Sequence, residues 1–154
     1  TYHSPHGLPP GKDQESDLTS AYDLALLARE ILKHPQIMQW ADTPESTFRK
    51  GAFHLVNTNN LVRTTPWVTG LKTGYTREAG FNLTATGERN NLKLITVVMG
   101  APTKRKCDDE TARLFNKGFN GFQSLYAVRR GDVVANDVPV ANGNPRFVRV
   151  VAGG

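Results

Sequence analysis

A single cysteine, Cys107, among 154 residues leaves nothing for an internal disulfide or a thiolate metal cluster, and it discloses no redox compartment. No apolar run approaches the roughly 20 residues that a bilayer-spanning helix needs. The N-terminus lacks the charged and apolar regions of a secretory leader, so any anchor or export signal is expected outside this stretch. Neither sign of charge dominates: 19 Lys and Arg against 14 Asp and Glu leave a net charge of +5. The cations are spread from Lys12 to Arg149, with short clusters only at Lys104-Arg105-Lys106 and Arg129-Arg130. That distribution reads as a solvated basic surface, with no nucleic-acid partner. Internal repeats and low-complexity segments are absent. What remains is a balanced composition, 38% hydrophobic and 21% charged, which suits a soluble globular chain with a core of its own.

Along the chain, residues 1–16 are rich in Pro, Gly and His without periodicity and read as a loop. Ser20 followed by Asp23 is a helix start, and Leu24, Leu27, Ala28, Ile31 and Leu32 fall on one helical face. His34-Pro35 ends that helix. A short helical turn is expected over Ile37 to Ala41, then a strand at Phe53-His54-Leu55-Val56 and a turn at Asn57-Thr58-Asn59-Asn60. From Trp67 onward the pattern is antiparallel sheet. Trp67 to Tyr75 is one strand; Phe81, Leu83 and Ala85 alternate with polar neighbours in the next; Leu92 to Met99 forms a third. A polar turn is expected over Gly87 to Asn91, with the third strand buried. Asp108, Asp109 and Glu110 suit a helix N-terminus, and Ala112, Phe115 and Phe119 give that helix an apolar stripe ending near Gly118 to Gly121. Residues 127–151 carry short alternating apolar pieces broken by Gly131-Asp132, Asn142-Gly143 and Pro145, the composition of small strands.

Within the first of these strands lies Lys72-Thr73-Gly74. On a strand whose edge faces a cleft, Lys72 offers an ammonium and Thr73 a hydroxyl donor, while Gly74 has no side chain to block an extended ligand. Such an edge would grip a peptide ending in a carboxylate. The tripeptide alone is weak, since average residue frequencies would produce it in a chain of this length roughly 3 times in 100. Its neighbourhood is more specific.

Pro5-His6-Gly7-Leu8, Ser20 to Ala28, Asn57-Thr58-Asn59 with Leu61, Gly70 to Thr76 with Ala79-Gly80-Phe81, and Val97 to Ala101 occur in the order found in one family. Together they resemble the serine-type D-alanyl-D-alanine carboxypeptidases, the low-molecular-mass penicillin-binding proteins, over about Tyr2 to Phe122. The resemblance implies an α+β fold, an antiparallel sheet flanked by helices, of the β-lactamase and transpeptidase kind. It implies residues 1–124 as the C-terminal part of the catalytic domain and 125–154 as the start of a truncated β-rich domain. It further implies a peptidoglycan stem peptide ending in D-Ala-D-Ala as substrate, β-lactams as inhibitors, no cofactor and no metal, and work outside the cytoplasmic membrane. In the family a serine of an S-x-x-K motif attacks the penultimate D-Ala carbonyl, an S-x-N motif helps to manage protons, and K-T-G lines the opposite wall. By that resemblance Lys72 supplies positive potential and supports the proton network. Thr73 hydrogen-bonds the substrate carboxylate, Gly74 leaves room for it, and the Tyr75 backbone N–H is one oxyanion donor.

The departure from the family pattern is plain. Ser4, Ser16, Ser20, Ser46 and Ser124 are followed three residues on by Gly7, Thr19, Asp23, Arg49 and Ala127, so no serine has its lysine, and none has Asn two residues on. Both motifs precede His-Gly-Leu in the family, which places Thr1 partway through the catalytic domain and leaves this chain alone inactive. A complementary N-terminal chain or a swapped protomer is the expected partner, since a missing half would leave a sheet edge and an apolar face open. Two other readings stand beside this one: a non-catalytic chain binding stem peptide or a partner protein, and a β-lactamase-type hydrolase. Thr69 has the S-x-x-K spacing to Lys72, but a shared strand puts the two on opposite faces. His3 and His6 lack a third ligand, so a structural or substrate-side role is read for His6. Asp108, Asp109 and Glu110 are read as helix-capping, Cys107 as an inert thiol preceding the helix, and Phe115, Phe119 and Phe122 as core.

Overall fold

In the computed structural model, which describes residues 2–3, 5–11, 15–125 and 127–153, Ser20 opens the first helix. Its backbone is extended and its hydroxyl accepts the Asp23 amide at 3.1 Å, so α1 runs over Ala21–Ile31 as the sequence implies. Ala28 is buried and Leu24, Ile31 and Leu32 half-buried, but Leu27 is 49% exposed. The covered stripe is narrower than expected, because Leu27 sits about 100° round the helix from Ala28. Pro35 both stops the chain after α1 and opens α2 (Pro35–Ala41), where its missing N–H costs nothing.

Two short elements were not anticipated. β1 (Glu45–Phe48) pairs antiparallel with the expected β2 (Phe53–Val56), in an exposed hairpin that brings Phe48 opposite Phe53. The Asn-rich turn leads directly into α3 (Asn60–Thr64), whose cap is the Asn59 side chain.

The three predicted strands form one antiparallel sheet in the order β3-β4-β5, with β3 over Val68–Thr76, β4 over Gly80–Arg89 and β5 over Leu92–Ala101. The β4–β5 turn is tighter than expected. Asn90 and Asn91 take left-handed backbone, φ 51° and 60°, so strand pairing continues through Gly87 to Arg89. The buried strand is β4 rather than β5: Leu83 to Gly87 are all buried, because β4 alone has neighbours on both sides.

The second long helix, α4 (Lys104–Gly121), starts before the acidic run, not at it. Thr103 is its cap, accepting the Lys106 amide at 3.1 Å. Asp108 and Asp109 therefore lie one turn further in and face Lys104 and Arg105 at 3.5 and 3.7 Å, while Glu110 pairs with Arg113 at 2.6 Å. Cys107 lies within the first turn rather than before it, and is buried. Phe115 is fully buried in the core with Leu61, Val62, Val68, Leu83, Ala85 and Val98. Trp67 meets Phe115 and Phe119 edge-on, both at 5.2 Å. Phe122, expected in the core, is 69% exposed beyond the helix end. Gly87 lets Phe115 lie flush on the sheet: a Cβ there would come within 3.0 Å of both the ring and the Trp67 carbonyl.

Contacts divide the chain into two compact units, Thr1–Gln123 and Ser124–Gly154. The second consists of β6 (Val133–Pro139) and β7 (Phe147–Val151), an antiparallel pair of the kind its alternating sequence suggests.

Candidate active-site strand

Lys72, Thr73 and Gly74 sit in the middle of β3, which has β4 on one side and no strand on the other among the described residues. The register sets Lys72 opposite Thr84, Thr73 opposite Leu83 and Gly74 opposite Asn82. Successive side chains leave a strand on opposite faces, so Lys72 and Thr73 diverge. Lys72 is exposed and its Nζ reaches back to the Thr73 carbonyl. A Cβ added at Gly74 would meet nothing within 4 Å, so the space beside the strand is open there. Tyr75 is 61% exposed and its ring leans on Phe81, with centroids 4.3 Å apart.

The hydroxyl of Thr73 is hydrogen-bonded to the hydroxyl of Thr58, Oγ1 to Oγ1, at 2.9 Å. Thr58 is clamped between two asparagines whose side chains are engaged with the backbone. Asn57 Nδ2 donates to the carbonyls of Ala41 and Thr43 at 3.0 and 2.9 Å, and its Oδ1 accepts the Asn59 amide at 2.9 Å. Asn59, 2% exposed, donates from Nδ2 to the Gly70 carbonyl at 2.9 Å and accepts the Leu61 amide at 3.1 Å. Sequence reading gave Asn57 to Asn60 only a turn. The signal for more was two short amides flanking a hydroxyl, since Asn side chains readily bond nearby backbone.

Gly70 has φ +147°, and a Cβ there would stand 3.1 Å from the Ala41 Cβ and 3.3 Å from the Thr86 hydroxyl. Its bare backbone is what lets α2 approach β3. The strand register shifts between Val68 and Gly70, and Thr69 Oγ1 is bonded to Thr86 Oγ1 at 3.0 Å within the sheet.

The other sequence candidates lie elsewhere. His6 Nδ1 accepts the Leu8 amide at 3.0 Å, and His3 Nε2 stands 3.4 Å from the Glu15 carboxylate. No group of three His, Cys, Asp or Glu residues able to hold a metal occurs among the described residues. Burial pushes the Cys107 thiol above its ordinary range, with Asp108 adding to the effect.

A family described as D-alanyl-D-alanine carboxypeptidase matches residues 1–103. The D-alanyl-D-alanine carboxypeptidase DacF of Bacillus subtilis is 35% identical over 145 residues, covering 92% of this chain and 37% of that protein. DacD of Escherichia coli, of the same description, is 34% identical over 137 residues, covering 88% and 34%. Among solved structures, penicillin-binding protein D2 from Listeria monocytogenes in its cefotaxime-bound form aligns with a TM-score of 0.70 at 36% identity, over 77% of this chain and 47% of that one. Penicillin-binding protein 5 from Haemophilus influenzae aligns with a TM-score of 0.71 at 32% identity, over 96% and 42%. The chain spans about a third of the length of the curated relatives it matches.

Proposed function

The chain belongs to the D-alanyl-D-alanine carboxypeptidase family, and from that premise we propose that it supplies the K-T-G wall of a serine carboxypeptidase acting on peptidoglycan stem peptides. The observation that carries this reading is the edge position of Lys72-Thr73-Gly74, with an exposed ammonium, a pre-oriented hydroxyl and open space beside the glycine.

The terminal carboxylate of a D-Ala-D-Ala peptide lies along β3 in this proposal. The Thr73 hydroxyl donates to it, and Lys72 lowers its electrostatic energy and that of the proton-transfer groups. A serine from a segment outside these residues attacks the penultimate carbonyl carbon, and its proton passes to the leaving D-Ala nitrogen as the C–N bond breaks. The oxyanion of the tetrahedral intermediate is held by the serine's own N–H and that of Tyr75; losing one such donor costs about 3 kcal/mol of barrier in other enzymes. Water then hydrolyses the acyl-enzyme. A β-lactam carboxylate would use the same wall. Cefotaxime and ampicillin are each bound in Listeria structures similar to this chain.

Residues 1–124 are proposed as the C-terminal part of the catalytic domain and 125–154 as the start of a β-rich domain. Exposed Tyr22, Leu27 and Trp40 on α1 and α2, at 71%, 49% and 64%, support a complementary segment covering that face. No helix among the described residues is long and apolar enough to cross a membrane. Action outside the cytoplasmic membrane follows from the peptidoglycan substrate.

The test is D-alanine release from a peptide ending in D-Ala-D-Ala, by this chain assembled with its serine-bearing segment. Lys72→Ala is expected to lower release at least a hundredfold; release unchanged by that substitution would remove Lys72 from the mechanism.

A further inference from the structure

We infer that Thr58 is a positioning residue that fixes the direction of the Thr73 hydroxyl proton, and through it the preference for ligands ending in a free carboxylate. This rests on the reading of β3 as the carboxylate-binding wall.

A threonine hydroxyl has one proton to donate and two lone pairs to accept with. Thr58 and Thr73 share one hydrogen bond at 2.9 Å, so one of them is the donor. A carboxylate can only accept. When Thr73 donates to a ligand carboxylate its proton is spent, and the bond to Thr58 must then run from Thr58 to Thr73. The result is a chain, Thr58 O–H to Thr73 O–H to carboxylate, in which each bond polarises the next. With Thr58 absent, the Thr73 proton is free to turn away and part of the chain's cooperativity is lost.

Geometry makes this an arrangement of the fold rather than a chance approach of two side chains. Asn59, next in sequence to Thr58, is buried and bonded to the Gly70 carbonyl on the same strand as Thr73. Asn57, on the other side, is bonded to Ala41 and Thr43. The backbone that carries Thr58 is thus fixed to β3 three residues before Thr73 and to the end of α2. Thr58 itself remains exposed.

The experiment uses the acylating protein, this chain together with the segment that supplies its serine, and compares Thr58→Val, Thr58→Ser and Thr73→Val. Each is measured with a peptide ending in D-Ala-D-Ala and with the same peptide as its C-terminal amide, which lacks the negative charge. Thr58→Val is expected to lower kcat/KM for the free acid about tenfold while leaving the amide within twofold, and Thr58→Ser to restore the loss. A purely structural role would lower both substrates together and would overturn the proposal. If Thr73→Val discriminates between acid and amide and Thr58→Val does not, the relay is overturned while the wall reading stands. If neither variant discriminates, or the unmodified protein shows no acylation, the reading on which the relay rests is itself overturned.

Discussion

The Asn59 side chain donates to the Gly70 carbonyl across a buried gap of 2.9 Å, tying the cap of α3 to the strand two residues before Lys72. The same side chain accepts the Leu61 amide at 3.1 Å, so one residue satisfies two buried backbone groups. Asn59→Ala leaves both without a partner and is expected to cost about 2–4 kcal/mol, measured by urea denaturation. A loss under about 0.5 kcal/mol would show that water replaces both bonds.

Gly87 is expected to resist even the smallest side chain. A methyl group there would stand 3.0 Å from the Phe115 ring and from the Trp67 carbonyl, and the backbone on that side cannot yield. Gly87→Ala should lower stability by about 1–3 kcal/mol, whereas Gly74→Ala, where nothing lies within 4 Å, should lower it by less than about 1 kcal/mol. Equal losses on thermal melting would argue against the packing described.

Thr96 has a buried hydroxyl without a hydrogen-bond partner among the described residues. Thr96→Val keeps the shape and removes the polar atom, so the variant is expected to gain roughly 1 kcal/mol. A lower melting temperature would mean that the hydroxyl is satisfied in solution.

Cys107 gives the pH dependence a definite sign. Its thiol is buried, and burial first, then Asp108, raises its pKa in the folded state. Above about pH 8.5 the unfolded chain loses this proton while the folded chain keeps it, so the thiol's contribution to stability falls as pH rises. Cys107→Ala should flatten stability above about pH 8.5 relative to the unsubstituted chain. Thiol titration at pH 8 should label Cys107 only on unfolding; rapid labelling of the native chain would contradict its burial.

How far the sequence could be read depended on how local the governing interactions are. The cap of α1 at Ser20 and the strand carrying Phe81, Leu83 and Ala85 depend on near neighbours and are both present, although Thr84 and Thr86 are buried along with Leu83 and Ala85. The start of α4 was misplaced because three carboxylates outweighed one threonine, although it is the Thr103 hydroxyl that meets an orphan amide. Thr58 was legible only as part of a turn, since its link to Thr73 depends on how α3 docks against β3. Phe122 reads as core together with Phe115 and Phe119, but the helix ends before it and leaves it exposed.

The central claim is that this chain carries one wall of a penicillin-reactive site and that the nucleophile resides elsewhere. Native mass spectrometry of the purified protein with and without a penicillin tests it most directly. The account expects no adduct on this chain alone, and a penicilloyl group on the serine-bearing polypeptide when the two are assembled. A penicilloyl adduct mapped to a residue of this chain would contradict it.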